Sequence, residues 1–175
     1  EFYGGAADKL MGETIPYRAG YTVYTLREPH GVTGHIVPWN YPMQIVGRAV
    51  GAALAMGNAA VLKPAEDASR SALAFAAIAV EAGLPAGALN VVPGLGAEAG
   101  AALTAHPGVD HISFTGSYAV GCAVQAALSA DPSSRVAPAY TFTFSAVESV
   151  DDAAVVTYVY SWSEDGEEWT PVATT

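Results

Sequence analysis

The chain predicts an α/β protein, an open parallel sheet with helices on both faces, followed by a short β-rich tail. Three observations carry this. Short apolar runs rich in Val, Ile and Leu alternate with longer stretches in which apolar residues recur at helical spacing. Gly, Pro or Asn stands at most of the joints, where strands stop and helices end. Strands joined through helices pair in parallel and are covered on both sides. The third observation is where this alternation ceases. After Asp131-Pro132-Ser133-Ser134 come strand-like runs only, beginning with the strict alternation Tyr140-Thr141-Phe142-Thr143-Phe144.

Taken in order, Met11-Gly12-Glu13 with Ile15-Pro16 reads as the end of a helix running into a turn. Tyr21 to Arg27 alternates aromatic or aliphatic residues with Thr, the period of a half-buried strand. Pro29-His30-Gly31 turns the chain, and Val32 to Val37 is the next strand. Pro38 and Pro42 lack the N–H that a ladder needs, so this strand stops near Val37. Pro42 suits the first turn of a helix. Met43 to Met56 then places Ile45, Val46, Ala49, Val50, Ala53 and Leu54 at helical spacing, and Gly57-Asn58 ends the run. Ala59 to Leu62 is a short strand ending at Lys63-Pro64, and Ser69 to Ala82 a helix closed by Gly83 and Pro85. Leu89 to Val92 is a strand, Glu98 to Ala105 a short helix, His111 to Phe114 a strand and Tyr118 to Ser129 a helix. In the tail, Val155 to Trp162 is a strand, Glu164-Asp165-Gly166 a turn, and Trp169 to Val172 a run that could pair back as a hairpin.

Composition narrows the function. The chain of 175 residues carries a net charge of −10, which argues against nucleic acid and against anionic membrane surfaces as partners. Every basic residue lies before residue 136, so the tail is purely acidic. The single cysteine, Cys122, excludes an internal disulfide and a Cys-rich zinc site, which fits a reducing compartment such as the cytoplasm. The acids between Glu164 and Glu168 lack the spacing of an EF-hand loop, and no metal is expected. No signal peptide or membrane span is visible, and a start at Glu1 rather than Met suggests a piece of something longer.

Four strand ends fall on one edge of the inferred sheet, the carboxyl edge, where open α/β sheets bind ligands. They carry Asn40; Lys63 with Glu66; Gly94-Leu95-Gly96; and Phe114-Thr115-Gly116-Ser117. Asn40 sits in a tight corner, where an amide either donates to a developing oxyanion or caps the following helix. Residue chemistry alone favours the cap. A Lys and a carboxylate just past a strand suit ribose hydroxyls, and Gly116-Ser117 opening a helix suits a phosphate. Each also has an ordinary reading, as a solvated charge or a turn glycine. Gly94, Gly96 and Gly100 form a glycine run one residue longer than the dinucleotide fingerprint.

In this order and at these spacings, four motifs resemble the aldehyde dehydrogenase superfamily. They are Pro38-Trp39-Asn40-Tyr41-Pro42, Leu62-Lys63-Pro64-Ala65-Glu66, the run from Gly83 to Gly94, and Ile112-Ser113-Phe114-Thr115-Gly116-Ser117. The likeness covers residues 1–138 and leaves 139–175 as an acidic, β-rich tail of separate character. It implies a Rossmann-like NAD(P)-binding domain. By position, Asn40 is implied as the oxyanion-hole amide, and Ile36, Val37, Pro38 and Trp39 as lining the cofactor channel. Lys63 and Glu66 are implied at the adenosine ribose, with Glu66 favouring NAD over NADP because a carboxylate repels a 2′-phosphate. Gly96 and Gly100 are implied near the adenine, and Phe114, Thr115, Gly116, Ser117 and Val120 around the pyrophosphate.

The resemblance also implies an aldehyde as substrate and a homo-oligomer formed through Tyr21–Arg27. Two of the family's chemical parts are absent from this sequence: a Glu-Leu-Gly-Gly segment supplying the general base, and a Gly-Gln-x-Cys segment supplying the nucleophilic thiol. Cys122 falls inside a helix, where a small buried residue is the ordinary reading. The alternative to a piece of an oxidoreductase is a non-catalytic nucleotide-binding or interaction module on the same fold. A third reading takes Ser163 to Trp169 as a hairpin of a β-sandwich, for which the tail is short.

Overall fold

A computed structural model of the protein describes residues 1–129, 157–159 and 172–174. Its centre is β3 (Val32–Val37), flanked by β4 (Ala59–Pro64) and β6 (His111–Phe114). β5 (Leu89–Val91) lies outside β4, giving the order β5-β4-β3-β6 with every pair parallel. The register runs from Val32 opposite Ala59 to Val37 opposite Pro64, and from Thr33 opposite His111 to Ile36 opposite Phe114. The expected strands are therefore the observed ones, with β4 continuing two residues further, to Pro64, and β5 stopping one residue short of Val92. Pro64 ends the strand, so its missing N–H breaks no inner ladder bond.

Helix α1 (Pro42–Ala55) follows β3, and α2 (Ser69–Glu81) follows β4. The connections step the same way across the sheet, so both helices lie on one face and touch each other. Val37, Val46, Val50, Leu62 and Ala72 close a core there. The chain then crosses back from β5 to β6, which puts α3 (Ala101–Ala105) and α4 (Tyr118–Ser129) on the other face. Val109, Ile112 and Val124 form the smaller core on that side. Gly34 allows this second face to close, because a Cβ there would come within 2.5 Å of Ile112 Cδ1.

Pro42 occupies the first turn of α1, as its ring geometry favours. The helix stops at Gly57, whose φ of 80° is costly for any other residue. Asn58 then ties helix to sheet. Its amide donates to the Ala53 carbonyl at 3.1 Å, and its carbonyl oxygen accepts the Gly31 N–H at 3.1 Å.

The N-terminal segment departs from expectation. Residues 11–13 are not helical; the described helix there is one 3₁₀ turn, Gly4–Ala6. Instead β1 (Thr14–Ile15) pairs antiparallel with β2 (Val23–Tyr24), the remnant of the longer strand expected over Tyr21 to Arg27. The cause is the bonding of Glu13, whose N–H donates to Thr25 Oγ1 and whose carbonyl accepts the Thr25 N–H at 2.9 Å. That draws the backbone out straight. Gly12 is required beside it, since a Cβ would overlap the Thr25 carbonyl.

The helix expected over Glu98 to Ala105 starts with a wide π turn, Gly96–Gly100, before α3 proper. The Leu95 carbonyl accepts from the N–H groups of Glu98, Ala99 and Gly100 at 3.2, 2.9 and 3.5 Å, a loose opening that two glycines permit. In the tail, β7 (Thr157–Val159) pairs antiparallel with β8 (Val172–Thr174) as a separate two-stranded sheet. The expected strand Tyr140–Phe144 and turn Glu164-Asp165-Gly166 lie outside the described residues, as do residues 169–171 of the proposed return strand. Among the described residues, no helix is long and apolar enough to cross a membrane.

Candidate active site

The carboxyl ends of β3, β4 and β6 deliver the implied site residues to one edge. Register brings Ile36 opposite both Lys63 and Phe114, and the Thr115 N–H donates to the Ile36 carbonyl at 3.0 Å. Val37 is buried in the core, and Pro38 and Trp39 leave the sheet as a bend, with the Trp39 ring exposed. Thus Ile36, Pro38 and Trp39 remain available at the edge, whereas Val37 is spent on packing beneath α1.

Asn40 is exposed in the corner between β3 and α1. It is not the helix cap that residue chemistry favoured. The N-cap position is Tyr41, which makes no side-chain capping bond, and Tyr41 supplies its carbonyl to the Ile45 N–H at 3.0 Å. Asn40 thus stands one residue before the cap position, from which a side chain accepts the N2 or N3 N–H. The Asn40 carboxamide makes no hydrogen bond among the described residues, so its N–H groups stay free for a ligand.

Lys63 and Glu66 form the most defined polar feature of the edge. Lys63 is 3 % exposed, and its ammonium lies 3.3 Å from a Glu66 carboxylate oxygen that faces solvent. Burying a lysine side chain is costly unless the charge is paired, so Glu66 is what keeps the ammonium in place. The Glu66 carboxyl is held below its ordinary value, first by its own backbone N–H, then by Lys63 and least by the nearby backbone amide of Gly96. Gly96 opens the turn after β5. Gly100 is buried under the same turn.

Around β6, the Phe114 ring folds over Gly116, where a Cβ would sit 2.5 Å from the ring edge. Ser117 is exposed at the start of α4 and gives its carbonyl to the Gly121 N–H at 3.0 Å; Val120 is exposed on the first turn. Cys122 corrects an expectation. It is exposed rather than buried, because α4 turns Gly121 and Val124 toward the sheet and Cys122 away from it.

A cluster of histidines was missed. His35 lies mid-strand on β3, 3 % exposed, with its Nε2 2.9 Å from Thr33 Oγ1. His111 is stacked on His30, ring centroids 5.2 Å apart and planes 14° from parallel. Burial and the neighbouring His111 lower the His35 pKa to about 4, and burial with His30 lowers that of His111. The available signal was a histidine inside an apolar strand; its meaning depends on what β6 brings alongside.

These shifts set a pH dependence. A histidine whose folded pKa lies below its unfolded value stabilises the fold fully above pH 6.5, and that stability is lost as pH falls toward 4. Urea unfolding of the chain is expected to lose about 3 kcal/mol between those limits from His35 alone. His35→Gln should flatten the curve across that interval. An unchanged slope would show that His35 is not buried neutral.

Comparison with known proteins accords with this arrangement. A family model described as the aldehyde dehydrogenase family matches residues 1–138. The chain is 56 % identical over 121 residues to hydroxyisobutyraldehyde dehydrogenase of Mycolicibacterium austroafricanum, covering 69 % of this chain and 24 % of that protein. A Burkholderia cenocepacia crystal structure assigned as an aldehyde dehydrogenase superposes with a TM-score of 0.77 at 65 % identity, covering 84 % of this chain and 30 % of that one. The NAD⁺ complex of an aldehyde dehydrogenase from Bacillus cereus superposes with a TM-score of 0.76 at 41 % identity, covering 83 % and 28 %. The chain thus spans about a quarter of the length of the curated relatives it matches. With its four-stranded parallel sheet and the four motifs at its carboxyl edge, this chain belongs to the aldehyde dehydrogenase family over residues 1–138.

Proposed function

We propose that residues 1–138 are the dinucleotide-binding part of an aldehyde-oxidising enzyme, holding NAD in preference to NADP. The observation that carries this reading is the Lys63–Glu66 pair at the carboxyl edge, 3.3 Å apart. Glu66 is kept ionised and half-exposed, an acceptor suited to the paired hydroxyls of a ribose. The same carboxylate repels a ribose 2′-phosphate. Lys63 beneath it fixes its position and offers a cation close to the sugar. Gly116 and Ser117, at the free N–H end of the twelve-residue α4, suit the pyrophosphate.

The chemistry that such a cofactor supplies when bound is acceptance of a hydride. This chain's share is binding, and the Asn40 amide for an oxyanion developing on the aldehyde carbonyl. The exposed Tyr17, Tyr21, Tyr24 and Leu26 around the β1–β2 ribbon favour contact with a second copy there.

The test is calorimetric titration of the 175-residue chain with NAD and with NADP. NAD is expected to bind more tightly, and Glu66→Gln to weaken NAD about tenfold while narrowing the difference between the two. Circular dichroism checks that the variant is folded. If Glu66→Gln binds NAD as the wild type does, the ribose assignment fails.

A further inference from the structure

We infer that the cavity between α1 and β6 binds a small organic monocarboxylate with an apolar body, taken up together with one proton. The inference stands on the histidine cluster and does not depend on the cofactor reading.

The cavity measures about 520 Å³. Its helix wall is Ile45, Ala49 and Ala52, with Arg48 at the rim, and its sheet wall includes His35, His111 and Ser113. Hydrogen bonding settles which His35 nitrogen carries the proton. The Thr33 hydroxyl donates to the Ala59 carbonyl at 2.9 Å, so toward His35 it can only accept. The His35 Nε2, 2.9 Å away, is then the N–H donor, and Nδ1 is a bare acceptor. That Nδ1 is buried and has no partner among the described residues. A buried polar atom left unpaired is costly, and His35, which carries this one, is among the residues lining the cavity.

Among the described residues lining the cavity, the permanent charge is that of Arg48. Arg48, on α1, makes no ion pair among the described residues. His111, on β6, neighbours His35 and is stacked on His30 from the loop before β3; all three line the cavity. No Asp or Glu lines the cavity among the described residues, and the nearby Asp110 is engaged, accepting the Val32 N–H at 2.8 Å. The three histidines do not converge as metal ligands.

A carboxyl group meets both demands at once. Its O–H donates to Nδ1, or equivalently its carboxylate accepts from the imidazolium, while its second oxygen accepts from the Arg48 guanidinium. The ligand arrives as an anion and one proton comes from solvent; no covalent bond forms or breaks in the protein. Inorganic phosphate fits less well, because the remaining wall of alanines, Ile45 and Phe114 asks for an apolar body.

The experiment uses benzoate as the probe on the full 175-residue chain, by calorimetry in two buffers of different ionisation heat, with benzyl alcohol as the neutral control. Benzoate is expected to bind with uptake of about one proton near pH 7, its affinity rising about tenfold per pH unit lowered. Arg48 is exposed, so Arg48→Gln keeps the fold and is expected to weaken benzoate about tenfold or more. His35→Gln keeps a donor toward Thr33 and removes the Nδ1 acceptor, so proton uptake should vanish. If His35→Gln does not fold, the proton count on wild type and the Arg48→Gln affinity decide. Absence of binding at millimolar benzoate would overturn the proposal, leaving the cavity as space filled by protein. So would binding without proton uptake, equal affinity for benzyl alcohol, or an unchanged Arg48→Gln.

Discussion

Leu62→Ala is expected to cost about 2–5 kcal/mol of folding stability, enough to unfold a marginal domain at 37 °C. Leu62 is fully buried at the centre of β4, between β3 and β5, in the core cluster that also holds Val37, Val46, Val50 and Ala72 beneath α1 and α2. Truncation removes the transfer energy of the lost methyl groups and leaves a cavity with walls on two helices and two strands, which cannot all move in. Leu73, 46 % exposed on α2, supplies the control: Leu73→Ala should stay within about 0.5 kcal/mol. The measurement is urea unfolding followed by far-ultraviolet circular dichroism. Equal costs for the two variants would mean that the sheet core is not where β4 puts it.

The same residue shows why the sheet was legible. Leu62 lies in a short apolar run stopped by Lys63-Pro64, Val32–Val37 is stopped by Pro38, and His111–Phe114 is closed by Gly116. Prolines and glycines act locally, so strand ends at the carboxyl edge could be read from the chain alone, and with them Lys63, Glu66 and Asn40. What failed was set by contacts distant in sequence. Residues 11–13 are extended because Thr25 bonds Glu13, twelve positions away, and no local pattern announces that. The burial of Cys122 was misjudged because an Ala-rich helix is apolar on most sides, and only packing against β6 decides which side faces in. The His35 cavity is the extreme case. Its meaning requires β6 to arrive beside β3 after an excursion through β4 and β5, bringing His111 next to a histidine that otherwise reads as one polar residue in a strand.

No aldehyde-dependent NADH formation is expected from this 175-residue chain, whatever its affinity for NAD. Oxidation in the family proceeds through a thiol that attacks the aldehyde, giving a tetrahedral adduct from which hydride departs. Asn40 can donate to the oxyanion of such an adduct, but a donor without a nucleophile has nothing to stabilise. The sequence holds a single thiol, Cys122, and α4 carries it on the face turned to solvent, away from the sheet. Groups that act as one catalytic unit are not lost by degrees: removing the nucleophile typically costs several orders of magnitude, about as much as removing the whole set. Binding should be spared, since the residues proposed to hold the cofactor, Lys63, Glu66, Gly96 and 114–117, do not depend on a thiol. Absorbance at the NADH band, with millimolar NAD and a panel of short aliphatic and aromatic aldehydes, should therefore stay at the level of a protein-free control. Cys122→Ala should leave both that baseline and NAD binding unchanged. Turnover in the wild type that vanishes in Cys122→Ala would make Cys122 the nucleophile and would require α4 to present it to the Asn40 corner.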